Sequence, residues 1–185
     1  MSEVISMGGL VDRYRRLFRD GQPLVTGVAL LADSYSCTNP SLGRGISLGL
    51  KHARALRDTL SSSEDDPVRL VRAWDEVTET ELTPWYRETL EEDRARLAEM
   101  EAFRNAGEPP QPTEASSVRQ ALITVGLNDA DLFRIFLDSR MCIRRLGDAF
   151  ADPAAVERVF ELAADKSPMP IPGPDRSELL RLLGS

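Results

Sequence analysis

Residues 24–60 read LVTGVALLADSYSCTNPSLGRGISLGLKHARALRDTL. The aliphatic and β-branched run from Pro23 to Leu31 predicts a strand that ends just before a single acid, Asp33. A loop of small polar residues then leads through Asn39-Pro40 to Gly43-Arg44-Gly45. From Gly43 to Leu60, apolar or small residues recur at 46, 49, 50, 53, 56 and 60, which is one face of a helix. The order strand, loop, helix puts a binding position at the strand's carboxyl end. A carboxylate there accepts hydrogen bonds from sugar or sugar-alcohol hydroxyls, glycines let the backbone approach a ligand, and a helix N-terminus offers free N–H groups with partial positive charge. Such a site favours an anionic or electron-rich ligand.

Working outward, Val4-Ile5-Ser6-Met7 is the other strand signal, set off by Gly8-Gly9, while Gly21 precedes the Pro23 run. Downstream the chain reads as helical. The segment Ser61 to Asp66 ends the first helix, and Asp66-Pro67 predicts an N-cap and first-turn proline for a helix carrying Val68, Val71, Trp74 and Val77. Pro84 should kink or restart that helix, which continues through Leu90, Leu97, Met100 and Phe103 until Gly107 and the proline-rich segment after it. Thr113 to Val125 is a further short helix, and Asn128 or Asp129 should cap one carrying Leu132, Phe133, Phe136, Leu137 and Ile143. Asp152-Pro153 opens another, ending near Lys166; Ser167 to Pro174 should run extended before a last helix with Leu179, Leu180, Leu182 and Leu183. There is no internal repeat. The expected fold is α+β and mainly helical, a single domain over 1–185: residues 1–60 hold strands, loop and helix, and residues 61–185 a helical C-terminal region. Two or three strands with no partners of their own make a poor independent sheet.

The 185 residues are 42% hydrophobic, enough for one modest core. Lys and Arg total 23 against 30 Asp and Glu, a net charge of −7. That balance argues against a nucleic-acid binder that works by neutralising phosphates. The longest apolar stretch, near Val28 to Ala32, is far short of a bilayer span, and the MSEVISMGG start lacks a signal pattern, so the expectation is a cytoplasmic protein without membrane contact. Cys37 and Cys142 stand far apart without a CxxC, and His52 is the one histidine, so neither a disulfide framework nor a metal site is expected.

The Gly43-Arg44-Gly45-Ile46-Ser47-Leu48-Gly49 run is GxGxxxG, not the GxGxxG dinucleotide fingerprint, and it does not directly follow a strand. The segment instead resembles the second flavin-contacting motif of FAD-dependent monooxygenases and related oxidoreductases. The residues that carry the resemblance are Ala32-Asp33, Asn39-Pro40, Gly43, Gly45, Gly49 and Ala53, in that order. The resemblance implies that Asp33 holds the ribityl chain of FAD, that the Pro40 to Gly45 backbone lies beside the isoalloxazine ring, and that the cofactor-binding residues are Asp33, Asn39, Pro40, Gly43, Arg44 and Gly45. It implies too that the helix N-terminus faces the flavin's pyrimidine edge, and that the reduced cofactor activates oxygen toward a small organic substrate. Ala32 departs from the family's glycine before the aspartate. The chain also lacks the family's N-terminal strand, GxGxxG turn and helix, which grip the ADP half of FAD. It therefore looks like the C-terminal portion of a Rossmann-like flavoprotein, an oxidoreductase only when completed. The PGPDRSELLRLL tail is similar to the C-terminal region of such enzymes. The implied partner is an N-terminal flavoprotein half; self-association and a non-enzymatic helical interaction protein are the rival expectations.

Each feature also has a plainer explanation. Asp33 alone is a common turn acid. Gly45, Gly49 and Ala53 form a small-residue ridge suited to close packing. Cys37 suits a buried small position, and His52 a packed or surface one away from the flavin edge. The run Arg13, Tyr14, Arg15, Arg16, Arg19 suits a solvated or interface face, and Trp74, Trp85, Tyr86, Phe103, Phe133 and Phe136 suit a core.

Overall fold

The computed structural model describes residues 11–63, 66–105, 107–108, 110–126, 128–166 and 173–184. The strand expected at Val4 to Met7 and most of the extended segment from Ser167 lie outside the described residues. The remainder is mainly helical, with a few short strands before the helices. The chain divides into two compact units, Met1–Gln111 with Leu137–Arg145, and Pro112–Phe136 with Leu146–Ser185.

In the first unit, β1 (Arg13–Tyr14) pairs antiparallel with β4 (Ser36–Cys37), Arg13 facing Cys37. A tight hairpin joins β2 (Phe18–Arg19) to β3 (Gln22–Pro23). Its turn is Asp20-Gly21, with φ of 51° and 74°, the left-handed pair that a two-residue hairpin needs. The strand expected from Pro23 to Leu31 is not formed beyond Pro23. Among the described residues, no backbone bond ties residues 25–30 to a neighbouring strand, and Leu24, Val25 and Val28 are exposed. Strand propensity is a preference for a pleated, paired surface, and among the described residues no partner strand stands beside this run.

Next comes α1 (Gly45–Ser62). It buries His52 and Thr59, while Ile46, Leu50 and Leu60 face solvent. The apolar face expected from the sequence is therefore largely exposed, and the helix packs through Gly49 and His52 instead. Helix α2 (Pro67–Val77) opens on Asp66, whose carboxylate accepts from the N–H groups of Val68 and Arg69 at 2.9 and 3.1 Å. A π-helical turn, Thr78–Leu82, leads into α3 (Thr83–Arg104). Pro84 has no N–H and its ring crowds the carbonyl four residues back, so the ladder widens before the helix restarts. Val71, Trp74, Leu82 and Trp85 form the apolar interior, but Leu97, Met100 and Phe103 on α3 are exposed, against the expectation for Phe103.

The second unit is built by α4 (Glu114–Gly126), most of α5 (Ala130–Arg140), α6 (Leu146–Ala149), α7 (Pro153–Ala163) and α8 (Arg176–Leu182). Ala121, Leu122, Val125, Leu132 and Val159 make its core, with Ile135, Phe136, Leu146 and Phe150 packed around them. Asp129, rather than Asn128, caps α5 through the N–H groups of Asp131 and Leu132, and Asp152 caps α7. No helix among the described residues is long and apolar enough to cross a membrane.

Candidate functional site

Asp33 sits in a short 3-10 turn, Ala32–Ser34, that begins with a strained residue. Ala32 has φ of 50°, a left-handed conformation that glycine adopts freely and alanine does not. Two contacts from α1 hold it there. Its N–H donates to His52 Nδ1 at 3.0 Å, and its methyl packs over Gly49, where an added Cβ would stand 3.4 Å away, at van der Waals contact. Ser34 closes the turn from the other side, its Oγ accepting from Leu31 N–H at 2.7 Å. The turn therefore presents Asp33 as an exposed carboxylate that accepts from no group among the described residues, its own loop N–H groups included.

Asn39 and Pro40 build the approach to α1. Asn39 Oδ1 accepts from Ser41 N–H at 3.1 Å, its own N–H donates to Asp12 at 2.8 Å, and Nδ2 donates to the buried Asp93 at 3.3 Å. Pro40 starts a second 3-10 turn, Pro40–Leu42, ended by Gly43 at φ 67°. Gly45 then opens α1 with nothing within 4 Å of where a Cβ would stand, and no side chain caps the helix. The first-turn N–H groups are therefore left for solvent or a ligand.

Arg44 is turned away from that opening. It is 3% exposed, and its guanidinium donates to Thr89 Oγ1 at 3.3 Å and to Glu88 and Glu92 on α3 at 3.2 and 3.4 Å, 5.6 Å from the Trp85 ring centre. In this arrangement Arg44 anchors α1 to α3, and of the expected contacts its backbone alone borders the helix opening. Asp33 and Gly45, by contrast, line one small cavity of about 10 Å³ together with Ala32, Ser36, Thr38, Leu48, Gly49, His52 and Leu82. That is room for about one water molecule. The six sequence-derived residues thus separate: Asp33 and Gly45 come together, Asn39, Pro40 and Gly43 shape the loop, and the Arg44 side chain points elsewhere.

Behind this opening lies a polar and aromatic network that the sequence did not signal. Glu79, in the π-helical turn, accepts from Tyr14 Oη, from Tyr35 Oη at 3.1 Å and from Thr83 Oγ1 at 3.0 Å. Burial pushes the Tyr35 phenol well above its ordinary range, and burial followed by the bond to Glu79 raises Tyr14. The rings of Tyr86, Tyr14, Tyr35, His52 and Trp74 follow one another with centre separations of 5.5, 5.3, 5.2 and 4.6 Å. His52 is thus a core residue, fixed by ring packing on two sides. The ring contacts join residues 17 to 72 positions apart, beyond the reach of any local pattern, except that His52 falls three residues after Gly49 on the same helix face.

Of the basic run, Arg16 forms a bidentate pair with Asp75 at 2.6 Å through both nitrogens, and Arg16 and Arg72 flank Phe18. This cluster fastens the hairpin to α2. Both cysteines are free thiols, Cys142 raised by burial, and no acid, histidine or cysteine cluster among the described residues suits a metal ion. Comparisons with family models, with curated proteins and with solved structures return no match for this chain.

Proposed function

We propose that the chain is the FAD-contacting C-terminal portion of a flavin-dependent oxidoreductase of the monooxygenase type, built on a Rossmann-like flavoprotein plan. The observation that carries this reading is the pairing of Asp33 and Gly45 on one cavity: a carboxylate with no partner among the described residues, beside a helix N-terminus without a side-chain cap. A turn acid serving its own loop has its oxygens filled by backbone N–H groups, and Asp33 does not. Its oxygens suit the hydroxyls of a sugar-alcohol chain. The open N–H groups of α1 suit an electron-rich ring edge and stabilise negative charge there by the helix dipole. Bare space at Gly45 lets a flat ring approach the backbone. When bound, the flavin supplies the oxygen-activating redox chemistry; the protein orients it, and α1 neutralises charge that develops at its edge. The ADP half requires contacts from an N-terminal partner.

Asp33→Ala tests this. In the chain combined with an ADP-binding half, FAD affinity measured by flavin fluorescence should fall about tenfold or more, the effect of losing a charged hydrogen bond. Unchanged affinity removes Asp33 from the site and the reading with it.

A second reading, an interaction module or the partner subunit of a separately encoded N-terminal half, is favoured by residues 24–30. Past Leu24, whose N–H donates to the Leu17 carbonyl at 3.0 Å, residues 25–30 make no backbone bond to a neighbouring strand among the described residues. Leu24, Val25 and Val28 are exposed, and the Ile46 and Leu50 stripe of α1 is exposed too. Unpaired strand edges and apolar stripes promote association. Sedimentation of the isolated chain should show self-association at high micromolar concentration, and a clean monomer there counts against this reading.

A further inference from the structure

All three tyrosines of the chain, Tyr14, Tyr35 and Tyr86, stand in the row of rings beside the π-helical turn. Tyr14 is the middle one: Tyr86 stacks on it at 5.5 Å and 29°, and Tyr35 meets it edge-on at 5.3 Å. Its phenol donates to Glu79 Oε1, while Glu79 Oε2 lies 4.0 Å from the Arg87 guanidinium. Tyr35 Oη and Thr83 Oγ1 donate to the same Oε1 at 3.1 and 3.0 Å, so the acceptor is fixed from three sides. Glu79 owes its place to the π-helical turn, a local widening of the helix that recurs at functional sites. This arrangement controls how Tyr14 can be oxidised. A phenol that loses an electron becomes a strong acid, so a ring without a base at hand gives up the electron with difficulty. Burial, followed by the bond to Glu79, raises the Tyr14 phenol above its ordinary range, so it is not oxidised as a phenolate. Electron and proton must leave together, and Glu79 stands where the proton goes.

We propose that Tyr14 is a redox-active residue, giving one electron to a strong one-electron oxidant at the protein surface while its phenolic proton passes to Glu79. The Tyr14 O–H bond breaks, an O–H bond forms on Glu79 Oε1, and the oxidant is reduced by one electron. A neutral phenoxyl and a neutral carboxylic acid remain, and the acid donates back to the phenoxyl oxygen, which holds the proton ready for the return. Tyr86 is half-buried, as Tyr14 is, whereas Tyr35, His52 and Trp74 on the other side are buried. The electron therefore leaves on the Tyr86 side. None of this depends on the flavin reading, because it needs no group beyond the oxidant.

The test uses the full chain with photogenerated tris(bipyridyl)ruthenium(III) as the oxidant, and follows the radical by transient absorption and electron paramagnetic resonance. A fast-forming tyrosyl radical is expected, slowed in heavy water and lost in Tyr14→Phe. With three tyrosines in the chain, the three single phenylalanine variants complete the assignment. Glu79→Gln keeps an oxygen that accepts from Tyr14 but cannot take its proton. While still folded by circular dichroism, it should form the radical about a hundredfold more slowly, the usual loss when a positioned base is removed. A role confined to packing would leave that rate unchanged. A fast radical that survives Tyr14→Phe, one that resides on tryptophan, an undiminished rate in folded Glu79→Gln, or a wild-type rate indifferent to heavy water each overturns the proposal. The heavy-water comparison decides it on the wild-type protein alone if the Glu79 variant does not fold.

Discussion

At the scale of single residues, the 32–52 region shows how one strained position recruits its neighbours. An alanine at φ 50° is stable only when the surroundings over-determine it, and here Gly49 and His52 do so from one helix face. The small-residue ridge and the histidine, each explicable alone as packing, become one device when Ala32 is placed against them. Acid should disable it. The His52 imidazole has an ordinary pKa of 6.5 and is lowered by burial to about 4 in the folded protein. Between those values the unfolded chain binds the proton and the folded one does not. The stabilisation is therefore complete above pH 6.5 and is lost as the pH falls toward 4, by up to about 3 kcal/mol. Denaturant midpoints measured from pH 7 to 4 should fall accordingly, and a folded His52→Asn protein should lose most of that slope. An equal slope in the variant assigns the acid sensitivity to carboxylates instead.

At the scale of elements, what the sequence disclosed and what it hid follow from the range of the interactions involved. Helix starts are written in adjacent residues, so Asp66-Pro67 and Asp152-Pro153 are legible and the structure uses both carboxylates as caps. Pro84 was legible for the same reason, although the response is a π-helical turn instead of a simple break. The strand at 23–31 was misread because a strand is completed by a neighbour, and composition says nothing about whether one is present. The same limit applies at the site. The local spacing that singled out Asp33, Gly43 and Gly45 was enough to bring Asp33 and Gly45 to one cavity, yet it could not show that Arg44 turns to Glu88 and Glu92, 44 and 48 residues away. Caps also carry a measurable stability. Asp66→Ala leaves two first-turn N–H groups of α2 without their acceptor and should cost about 1 kcal/mol in denaturant unfolding. Asp66→Asn, which still offers an oxygen, should recover most of it, and a variant series with no difference between alanine and asparagine would show that water serves the helix equally well.

At the scale of the whole molecule, the two compact units have different kinds of interior. The first is threaded with buried polar groups, among them Arg44, His52, Thr83, Thr89 and Asp93, whereas the second closes over an aliphatic cluster. A polar interior is specified by directional bonds, and its loss is felt through unsatisfied groups; an aliphatic one is specified by volume, and its loss is felt through cavities. This difference can be probed separately, because Trp74 and Trp85, the two tryptophans of the chain, both belong to the first unit. Tryptophan fluorescence therefore reports that unit alone, while far-ultraviolet circular dichroism reports the helices of both. Leu122 is fully buried at the centre of the aliphatic cluster. Leu122→Ala should destabilise the second unit by about 2–5 kcal/mol, through lost transfer energy and the cavity left behind. The expected record is a circular dichroism melt that gains an early phase with the tryptophan melt nearly in place. A matched shift of both probes would instead mean that the units unfold as one cooperative body, and that the polar interior around the Asp33 cavity depends on the aliphatic one for its stability.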